Sequence, residues 1–335
     1  METHAPVTQW RIGVDQVAFA FSMPATTLYE KLDWRAREYT ARLRYWLARK
    51  GLLASSKDYH PFIILCGIRT GSTMLTSFLK SHSNILMFFE LFHVDRTSVP
   101  FGTDGFRGRA HDEEVVELRN TDPAQFLEQE VFRAHPAHTE AVGFKLLYTQ
   151  ARSREMWWDE PKYSDWWEDM DDSRLAWRDA DSDLWAYLRS RTDVKVLHLV
   201  RENLLRQKVS AELATTTGRW GKEATGGVAP SKKGKPQVAL DPEVCKRDFA
   251  AVERKRRDAE QDFDGHDLLC LSYEQILDAP NATLERIQRF LDLDIESLQT
   301  RTEKQEKRAL DEVIANYSEL QSALSDTPWI RFFDE

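Results

Sequence analysis

The sequence contains little cysteine, and its cysteines are far apart. There are three in 335 residues, Cys66, Cys245 and Cys270. This is an odd number, and no pair has the spacing of a CxxC motif. Neither a disulfide framework nor a metal site of that kind is indicated, and a reducing compartment fits this usage best. We therefore expect a cytoplasmic protein.

Long hydrophobic runs are scarce as well. Near the N-terminus the longest apolar run covers residues 17–21, which is far too short for a signal-peptide core or a bilayer-spanning helix. Acidic Glu2 and Asp15 precede it, and no basic segment leads it. The sequence therefore predicts neither a targeting signal nor a transmembrane segment.

An excess of positive charge is also missing. The formal net charge is -9, whereas a general nucleic-acid binder needs a basic surface to neutralise phosphates. Hydrophobic residues at 41% and charged residues at 30% are ordinary for a soluble globular protein. We expect no nucleic-acid partner, while a local pocket for an anion stays open. The length favours one large domain over two small ones.

Four short apolar runs predict strands that are buried on both faces, at residues 62–67, 142–147, 194–200 and 268–271. Helical patterns lie between or after them, at residues 72–80, 122–132, 241–263 and 281–291. Asp122 and Asp241 each precede a proline, which is the arrangement of a capping side chain before the first helical position. The alternation predicts an α/β fold with a central parallel sheet flanked by helices.

The remaining segments predict extensions and insertions around that domain. Residues 27–50 have a helical apolar period and a cationic opposite face, which indicates packing on the main domain or in a homodimer, with a membrane surface as the alternative. We predict a helical extension at 1–58, the main domain at 59–300 and a helical extension at 301–335. An acidic, tryptophan-rich insertion (151–190) and a mobile loop rich in Gly, Lys and Ser (221–240) interrupt the domain.

The stretch FIILCGIRTGSTML, residues 62–75, joins a predicted strand to a predicted helix through a glycine-containing turn. Backbone N–H groups and a helix N-terminus in such a turn suit a bound phosphate. Nucleotide triphosphatases have GxxxxGK[ST] there. In this sequence only three residues separate Gly67 from Gly71, Ser72 replaces the lysine, and the cation is Arg69. Glycine turns of this kind are common, so the loop alone also fits a purely structural role.

The loop resembles the 5′-phosphosulfate loop of sulfotransferases that use 3′-phosphoadenosine 5′-phosphosulfate (PAPS), in which Lys or Arg precedes a Ser/Thr-Gly-Ser/Thr-Thr turn. Its RTGST form is most similar to the bacterial trehalose-sulfotransferase type. The resemblance implies a P-loop-like fold, PAPS as co-substrate and no requirement for a metal. It also implies that Arg69, Thr70, Gly71, Ser72 and Thr73 bind the phosphosulfate, which a guanidinium can hold through paired hydrogen bonds.

A second anion site is needed for the 3′-phosphate of PAPS. Arg201 follows the predicted strand 194–200, and Ser210 lies nine residues further on in a helical pattern. The family has an arginine and a serine at this spacing as 3′-phosphate contacts, so the resemblance assigns that role to Arg201 and Ser210. One nucleotide can bind both sites only if the two arginines lie at neighbouring strand ends, because ligands of parallel sheets gather there.

A base must accept the proton of the attacking hydroxyl. In the sulfotransferase type that the chain resembles, the base is a glutamate just beyond the first loop and helix, and Glu90 in ILMFFELF has that position. We expect burial to raise its pKa toward a useful range. Other sulfotransferases use histidine, so His82, His93 and His198 are alternatives, and His93 could also assist Glu90.

Further carry-overs from the resemblance are weaker. Lys145 in GFKLLY is a candidate near the site, Trp220 in TGRW could stack on adenine or be buried in the core, and residues 271–294 resemble a structural closing strand and helix. The acidic insertion, with five tryptophans in residues 155–183, suits a sugar or a cationic acceptor, or is a solvated loop that its tryptophans anchor.

These features predict a PAPS-dependent sulfotransferase acting on a small-molecule or carbohydrate hydroxyl. A small-molecule kinase of the P-loop class and a non-catalytic interaction protein are the two alternatives. The acceptor itself cannot be chosen from the fold, because one fold supports many substrates.

Overall fold

A computed structural model of the protein describes residues 39–40, 43–48, 50–93, 97–151, 183–217, 236–300, 302, 306 and 308–334. Its centre is a five-stranded parallel sheet in the order β3-β5-β2-β6-β7. The strands of this sheet are β2 (His60–Cys66), β3 (Ile85–Met87), β5 (Ala141–Leu147), β6 (Lys195–Val200) and β7 (Leu268–Ser272). A small antiparallel pair is formed by β1 (Ser55–Ser56) and β4 (His135–Pro136).

From residue 50 onward, ten α-helices lie in the described residues. They are α1 (Ser72–Leu79), α2 (Glu113–Thr121), α3 (Pro123–Phe126), α4 (Asp183–Ser190), α5 (Leu204–Thr217), α6 (Pro242–Asp262), α7 (Tyr273–Asp278), α8 (Pro280–Phe290), α9 (Leu310–Val313) and α10 (Tyr317–Ala323). None of these helices is both long enough and apolar enough to cross a membrane. Helices cover both faces of the sheet, which confirms the predicted α/β class with a central parallel sheet.

The central strand β2 is buried on both faces because successive side chains of a strand point to opposite sides. Ile63 and Leu65 pack in one apolar cluster with Phe88, Phe144 and residues of α4 and α6. Their neighbours in β2, residues 62, 64 and 66, pack in a second cluster with α1 and α8. The continuous apolar run that predicted a buried parallel strand therefore has a direct structural cause.

Both predicted N-terminal caps are confirmed. The Asp122 side chain accepts a hydrogen bond of 2.9 Å from the backbone N–H of Gln125. Asp241 accepts from the backbone N–H groups of residues 243 and 244 at the start of α6. Each carboxylate satisfies donors that the first turn of a helix leaves unpaired, and Pro123 and Pro242 occupy the first helical position. The helix predicted at 122–132 is nevertheless not continuous, because Leu127–Val131 forms a π-helical turn.

The structure describes the last residues of both predicted insertions. The last eight residues of the range 151–190 form α4, whose Trp185 is fully buried against Phe263 with ring centroids 5.0 Å apart. At the end of the range 221–240, Val238 and Leu240 are buried, and Val238 bridges to Ile314. Val238 and Leu240 therefore pack against the rest of the protein, and mobility of the loop 221–240 stays a prediction. Residues 152–182 and 218–235 lie outside the described part of the chain.

The C-terminal segment covers α5 and α6. Phe249 of α6 contacts Trp329 and Phe332 edge-on, with ring centroids 5.7 and 5.8 Å apart. Around them a third apolar cluster joins α5, α6, α9 and α10.

In the N-terminal helix predicted at 27–50, residues 39–40 and 43–48 are described and helical, and Leu43 and Trp46 are exposed. Residue 50 is in a turn, and residues 27–38, 41–42 and 49 lie outside the described residues.

The Trp185→Ala variant tests whether α4 belongs to the core. We expect it to lower the free energy of unfolding by about 3–5 kcal/mol, because a large fully buried ring is replaced by a cavity. The exposed Trp46 provides a matched control, and Trp46→Ala should change stability by no more than about 0.5 kcal/mol. Chemical denaturation measures both, and equal losses in the two variants would contradict a core position for α4.

Candidate active site

The candidate site lies where four neighbouring parallel strands end. The turn 67–71 follows β2, residues 148–150 follow β5, Arg201 follows β6 and Tyr273 follows β7. The carboxyl ends of parallel strands meet at one edge of the sheet, which is where open α/β folds bind ligands. Side chains that are up to 206 residues apart in the sequence are therefore neighbours at this edge.

The loop after β2 has an unusual backbone that places an arginine at the mouth of α1. Arg69 and Gly71 both adopt positive φ angles, 57° and 82°, and a positive φ is uncommon for a residue with a side chain. The hydroxyl of Thr70 donates to the carbonyl of Gly67 at 3.0 Å, which closes the turn. Within the described part of the chain, no side chain caps the N-terminus of α1. Its first backbone N–H groups therefore lie at the positive end of the helix, beside the turn.

Gly71 is required by a close neighbour as well as by its φ angle. A Cβ atom at this position would lie 2.3 Å from Cδ2 of Tyr273, which no real contact allows. The same tyrosine ring lies under the guanidinium of Arg201, with the Arg201 Cζ 4.8 Å from the ring centroid. Tyr273 thus holds the loop after β2 and the arginine after β6 against one aromatic surface.

The two arginines predicted for the anion sites lie at neighbouring strand ends. Arg201 donates from Nη1 to the backbone carbonyl of Arg69 at 3.3 Å, and the Arg69 Nε donates to Oγ of Ser210 at 3.0 Å. Burial, and then the charge of Arg201, lower the pKa of Arg69. Two like charges this close repel each other, and an anion bound between them would reduce the repulsion.

Glu90 lies beside the same loop, in contact with residues of β5 and the turn that follows it. Lys145 of β5 forms an ion pair with it, with Nζ 2.5 Å from Oε1, and Gln150 donates to its other oxygen at 3.0 Å. The Lys145 Nζ also donates to Oγ1 of Thr73 at 3.4 Å and lies 4.4 Å from the ring centroid of Phe89. The Lys145 side chain is only 3% exposed, so this contact is held in a largely dry environment.

The expectation that Glu90 has a raised pKa is wrong. Burial does raise the pKa, but the charge and hydrogen bond of Lys145, followed by His93 and Gln150, outweigh it, and the net pKa lies below the usual glutamate value. Glu90 is therefore a carboxylate at neutral pH. Lys145, which the sequence indicated only as a weak candidate, stabilises this ionised form.

The three alternative histidines have different surroundings. His82 is bonded to the carbonyl of Asp294 at 3.0 Å and helps to hold the chain there. His198 is fully buried, its Nε2 lies 2.6 Å from the hydroxyl of Tyr148, and burial lowers its pKa to about 4. His93 is the only one of the three whose charge acts on Glu90, and its backbone N–H donates to the Glu90 carbonyl at 3.0 Å.

Two residues that the sequence analysis did not name support the loop from α5 and α6. Gln207 donates to the carbonyl of Ile68 at 2.6 Å. Arg256 donates to the carbonyl of Arg201 at 2.6 Å and to Gln207 at 3.3 Å. The signal for Gln207 was its position three residues before Ser210, which puts both on one helix face. Arg256 lies four residues after the buried Val252, on the inward face of α6. Trp220 and the five tryptophans of residues 155–183 lie outside the described residues.

Substituting Lys145 tests the origin of the low pKa of Glu90. In Lys145→Met the ammonium is gone and burial becomes the main remaining influence, so the pKa of Glu90 should rise above the usual glutamate value. Carboxyl ¹³C NMR titration of the full chain measures it, with Glu90→Gln identifying the signal. Lys195→Met, which removes a lysine paired with Asp292 at the start of β6, is the control and should leave the Glu90 titration unchanged. An unaltered pKa in Lys145→Met would show that the ion pair does not set it.

Comparison with known proteins assigns the chain to a family. The model of the sulfotransferase family matches residues 61–297. Nodulation protein H of Rhizobium tropici is 27% identical over 287 residues, covering 84% of this chain and 96% of the relative. Its counterpart in Rhizobium meliloti (strain 1021) is 25% identical over 280 residues, covering 82% and 95%. The solved sulfotransferase STF9 from Mycobacterium avium aligns over 91% of this chain and 86% of its own, with 15% identity and a TM-score of 0.33. The chain belongs to the sulfotransferase family.

Proposed function

We propose that this sulfotransferase takes its sulfuryl group from PAPS and transfers it to an acceptor hydroxyl, with Glu90 as the general base. The observation that carries the proposal is the contact between the two cationic sites: Arg201 donates to the backbone of Arg69, and Arg69 donates to Ser210. The 3′- and 5′-substituents of PAPS are attached to one ribose, so the pockets that bind them must be adjacent, as these residues are.

In this proposal the loop 69–73 holds the 5′-phosphosulfate. The Arg69 guanidinium can offer paired hydrogen bonds to the phosphosulfate oxygens, and the N–H groups at the start of α1 add fixed dipoles. Arg201 and Ser210 bind the 3′-phosphate, which ordinary adenosine nucleotides lack. Tyr273 orients Arg201, and Gln207 and Arg256 fix the backbone on either side.

The chemical step is an in-line displacement at sulfur. The acceptor oxygen forms a bond to sulfur as its proton passes to the Glu90 carboxylate. The bond from sulfur to the bridging oxygen breaks, and 3′-phosphoadenosine 5′-phosphate leaves with the electron pair on its 5′-phosphate. In this proposal Arg69 and the N-terminus of α1 stabilise the negative charge that develops on this oxygen.

Lys145 connects the base to the donor loop. It keeps Glu90 ionised and ready to accept a proton, and its contact with Thr73 places the ammonium beside the loop that holds the phosphosulfate. We assign Lys145 to stabilisation of the sulfuryl oxygens during transfer. No metal is needed for this step, because guanidinium, ammonium and backbone N–H groups provide the positive charge.

The acceptor is an alcohol, and a carbohydrate, a glycolipid head group and a hydroxylated natural product are the classes that we propose. Incubation of the full chain with ³⁵S-labelled PAPS and an extract of the host, followed by mass spectrometry of the labelled product, identifies it. ATP labelled at its γ-phosphate is the parallel arm, since a kinase would label a product with it and a sulfotransferase would not.

Recognition of the 3′-phosphate can be tested by comparing two nucleotides. Arg201→Met should weaken binding of 3′-phosphoadenosine 5′-phosphate by roughly 10- to 100-fold, because a charge-assisted hydrogen bond is lost, and should affect adenosine 5′-phosphate much less. Ser210→Ala should cost roughly 3- to 10-fold. Isothermal titration calorimetry gives both dissociation constants.

A surface arginine provides the control for this test. Arg289 is exposed and paired with Glu285 on α8, so Arg289→Met should change neither constant. Equal losses for the two nucleotides in Arg201→Met would contradict a 3′-phosphate site. Absence of heat with the wild-type chain would instead favour the non-catalytic alternative.

The role of Glu90 separates chemistry from donor binding. Glu90→Gln keeps the shape of the side chain but removes the proton acceptor, so kcat should fall by roughly 10²- to 10⁴-fold. The affinity for 3′-phosphoadenosine 5′-phosphate should stay within about twofold, because the loop 69–73 is unchanged. The measurements are ³⁵S transfer and calorimetry, with Glu285→Gln on the exposed face of α8 as control. Turnover retained in Glu90→Gln would reject this residue as the base.

A further inference from the structure

Behind the active-site edge, three side chains bring metal-binding atoms together. The Nδ1 of His198 lies 3.2 Å from Oε1 of Glu260. The Sγ of Cys270 lies 3.8 Å from the same oxygen and 4.0 Å from that nitrogen. All three atoms are within 4.8 Å of one another. Imidazole, carboxylate and thiol are the three ligand types that proteins use for zinc.

The fold explains why these residues meet. His198 of β6 and Cys270 of β7 are direct partners in the parallel sheet register, so their side chains lie on the same face of the sheet. Glu260 belongs to α6, which packs on that face through Ala259 and Phe263. His198 is fully buried, whereas the Glu260 side chain is 47% exposed and Cys270 is at the surface. The site thus has a fixed inner ligand and an open outer side through which an ion can enter.

We propose that His198, Glu260 and Cys270 bind a zinc ion, with water as the fourth ligand. Tetrahedral zinc with bonds of about 2.0–2.1 Å to N and O and about 2.3 Å to S gives ligand separations of roughly 3.3–3.6 Å. The observed separations of 3.2, 3.8 and 4.0 Å differ from these by less than about 0.5 Å. A mixed nitrogen, oxygen and sulfur set favours Zn²⁺ over Mg²⁺ or Ca²⁺, which prefer oxygen alone.

The other ring nitrogen of His198 has the partner that a metal-binding histidine needs. Its Nε2 lies 2.6 Å from the hydroxyl of Tyr148, so with zinc on Nδ1 the Nε2–H donates to the tyrosine oxygen and fixes the ring. Two cations act on the cluster, Arg256 on His198 and Arg286 on Cys270. When the ion binds, the Cys270 thiol releases its proton to solvent and becomes a thiolate. This thiolate and the Glu260 carboxylate together offset the charge of the ion.

Such an ion would stabilise the part of the sheet next to the proposed PAPS site and would take no part in sulfuryl transfer. It would tie β6 and β7 to α6, and these elements carry or are followed by Arg201, Tyr273 and Arg256. Tyr148 also connects the two regions, because its ring lies 3.5 Å from the position that a Cβ on Gly67 would have. The expected effect is therefore on stability and on the rigidity of the strand ends.

Metal titration of the full chain tests the proposal without any assay of activity. After removal of bound metal with a chelator and dialysis, calorimetry with Zn²⁺ should show one site per chain, and the midpoint of thermal unfolding should rise with Zn²⁺. Co²⁺ should give intense tetrahedral d–d bands and a thiolate-to-cobalt charge-transfer band. Cys270→Ser should remove the charge-transfer band, and both Cys270→Ser and Glu260→Gln should weaken Zn²⁺ binding at least tenfold.

A carboxylate elsewhere on α6 provides the control for the metal titration. Glu243 is an exposed carboxylate on the same helix, paired with Lys246, so Glu243→Gln should leave Zn²⁺ binding unchanged. Circular dichroism checks that the variants at the exposed Glu260 and Cys270 remain folded. Absence of stoichiometric binding would overturn the proposal. So would binding that is unaffected by Cys270→Ser, or a weak octahedral cobalt spectrum without a charge-transfer band.

Discussion

The central position of β2, hydrogen-bonded to a parallel strand on each side, is the constraint on which the site depends. Cys66 at the end of β2 is in register with Leu147 of β5 and with Leu199 of β6. The chain therefore leaves all three strands at nearly the same level of one sheet edge. The turn with Arg69, the turn with Gln150 and Arg201 become neighbours because of this register. A shift of one strand by a single residue would turn its inward side chains outward and separate these groups.

The same edge concentrates positive charge. Separate elements of the fold place four cations there, Arg69, Arg201, Arg256 and Lys145. Burial and the charge of Arg201 lower the pKa of Arg69, and burial lowers the pKa of Arg256. Grouping buried cations opposes folding, so their placement is best understood through the ligand. The anionic donor that we propose for this site would supply the opposite charge, and its binding would stabilise the folded chain.

Local patterns in the sequence predicted the parts of this arrangement that depend on local chemistry. Continuous apolar runs predicted the four main strands, and aspartate before proline predicted two helix starts. The RTGST motif predicted the turn that joins β2 to α1. The contact between Lys145 and Glu90 depends on the packing of β5 against a segment of irregular structure, so no spacing rule indicated it. For the same reason the pKa of Glu90 was predicted with the wrong sign, since burial can be inferred from an apolar stretch but a partner 55 residues away cannot. Strand β3 was missed because three residues are too few to show a periodic pattern. Helix α4 was missed because it directly follows an acidic stretch, which obscures the apolar pattern of the helix in the sequence.

The ion pair between Glu90 and Lys145 poses a question for the proposed mechanism, because a carboxylate held by an ammonium is a weak base. The contact of Lys145 with Thr73 offers an answer. In the mechanism that we propose, a phosphosulfate bound at the loop 69–73 would bring anionic oxygens to the same ammonium, and these would compete with Glu90 for it. As Lys145 turns toward the donor, Glu90 loses its strongest stabilising partner while it remains buried, and its pKa rises. In this proposal Glu90 would become a stronger base only when the donor is bound, and the ammonium would move to the group that acquires charge during transfer. Coupling of this kind links two steps through one lysine, which explains why the side chain that lowers the pKa of the base also reaches the donor loop.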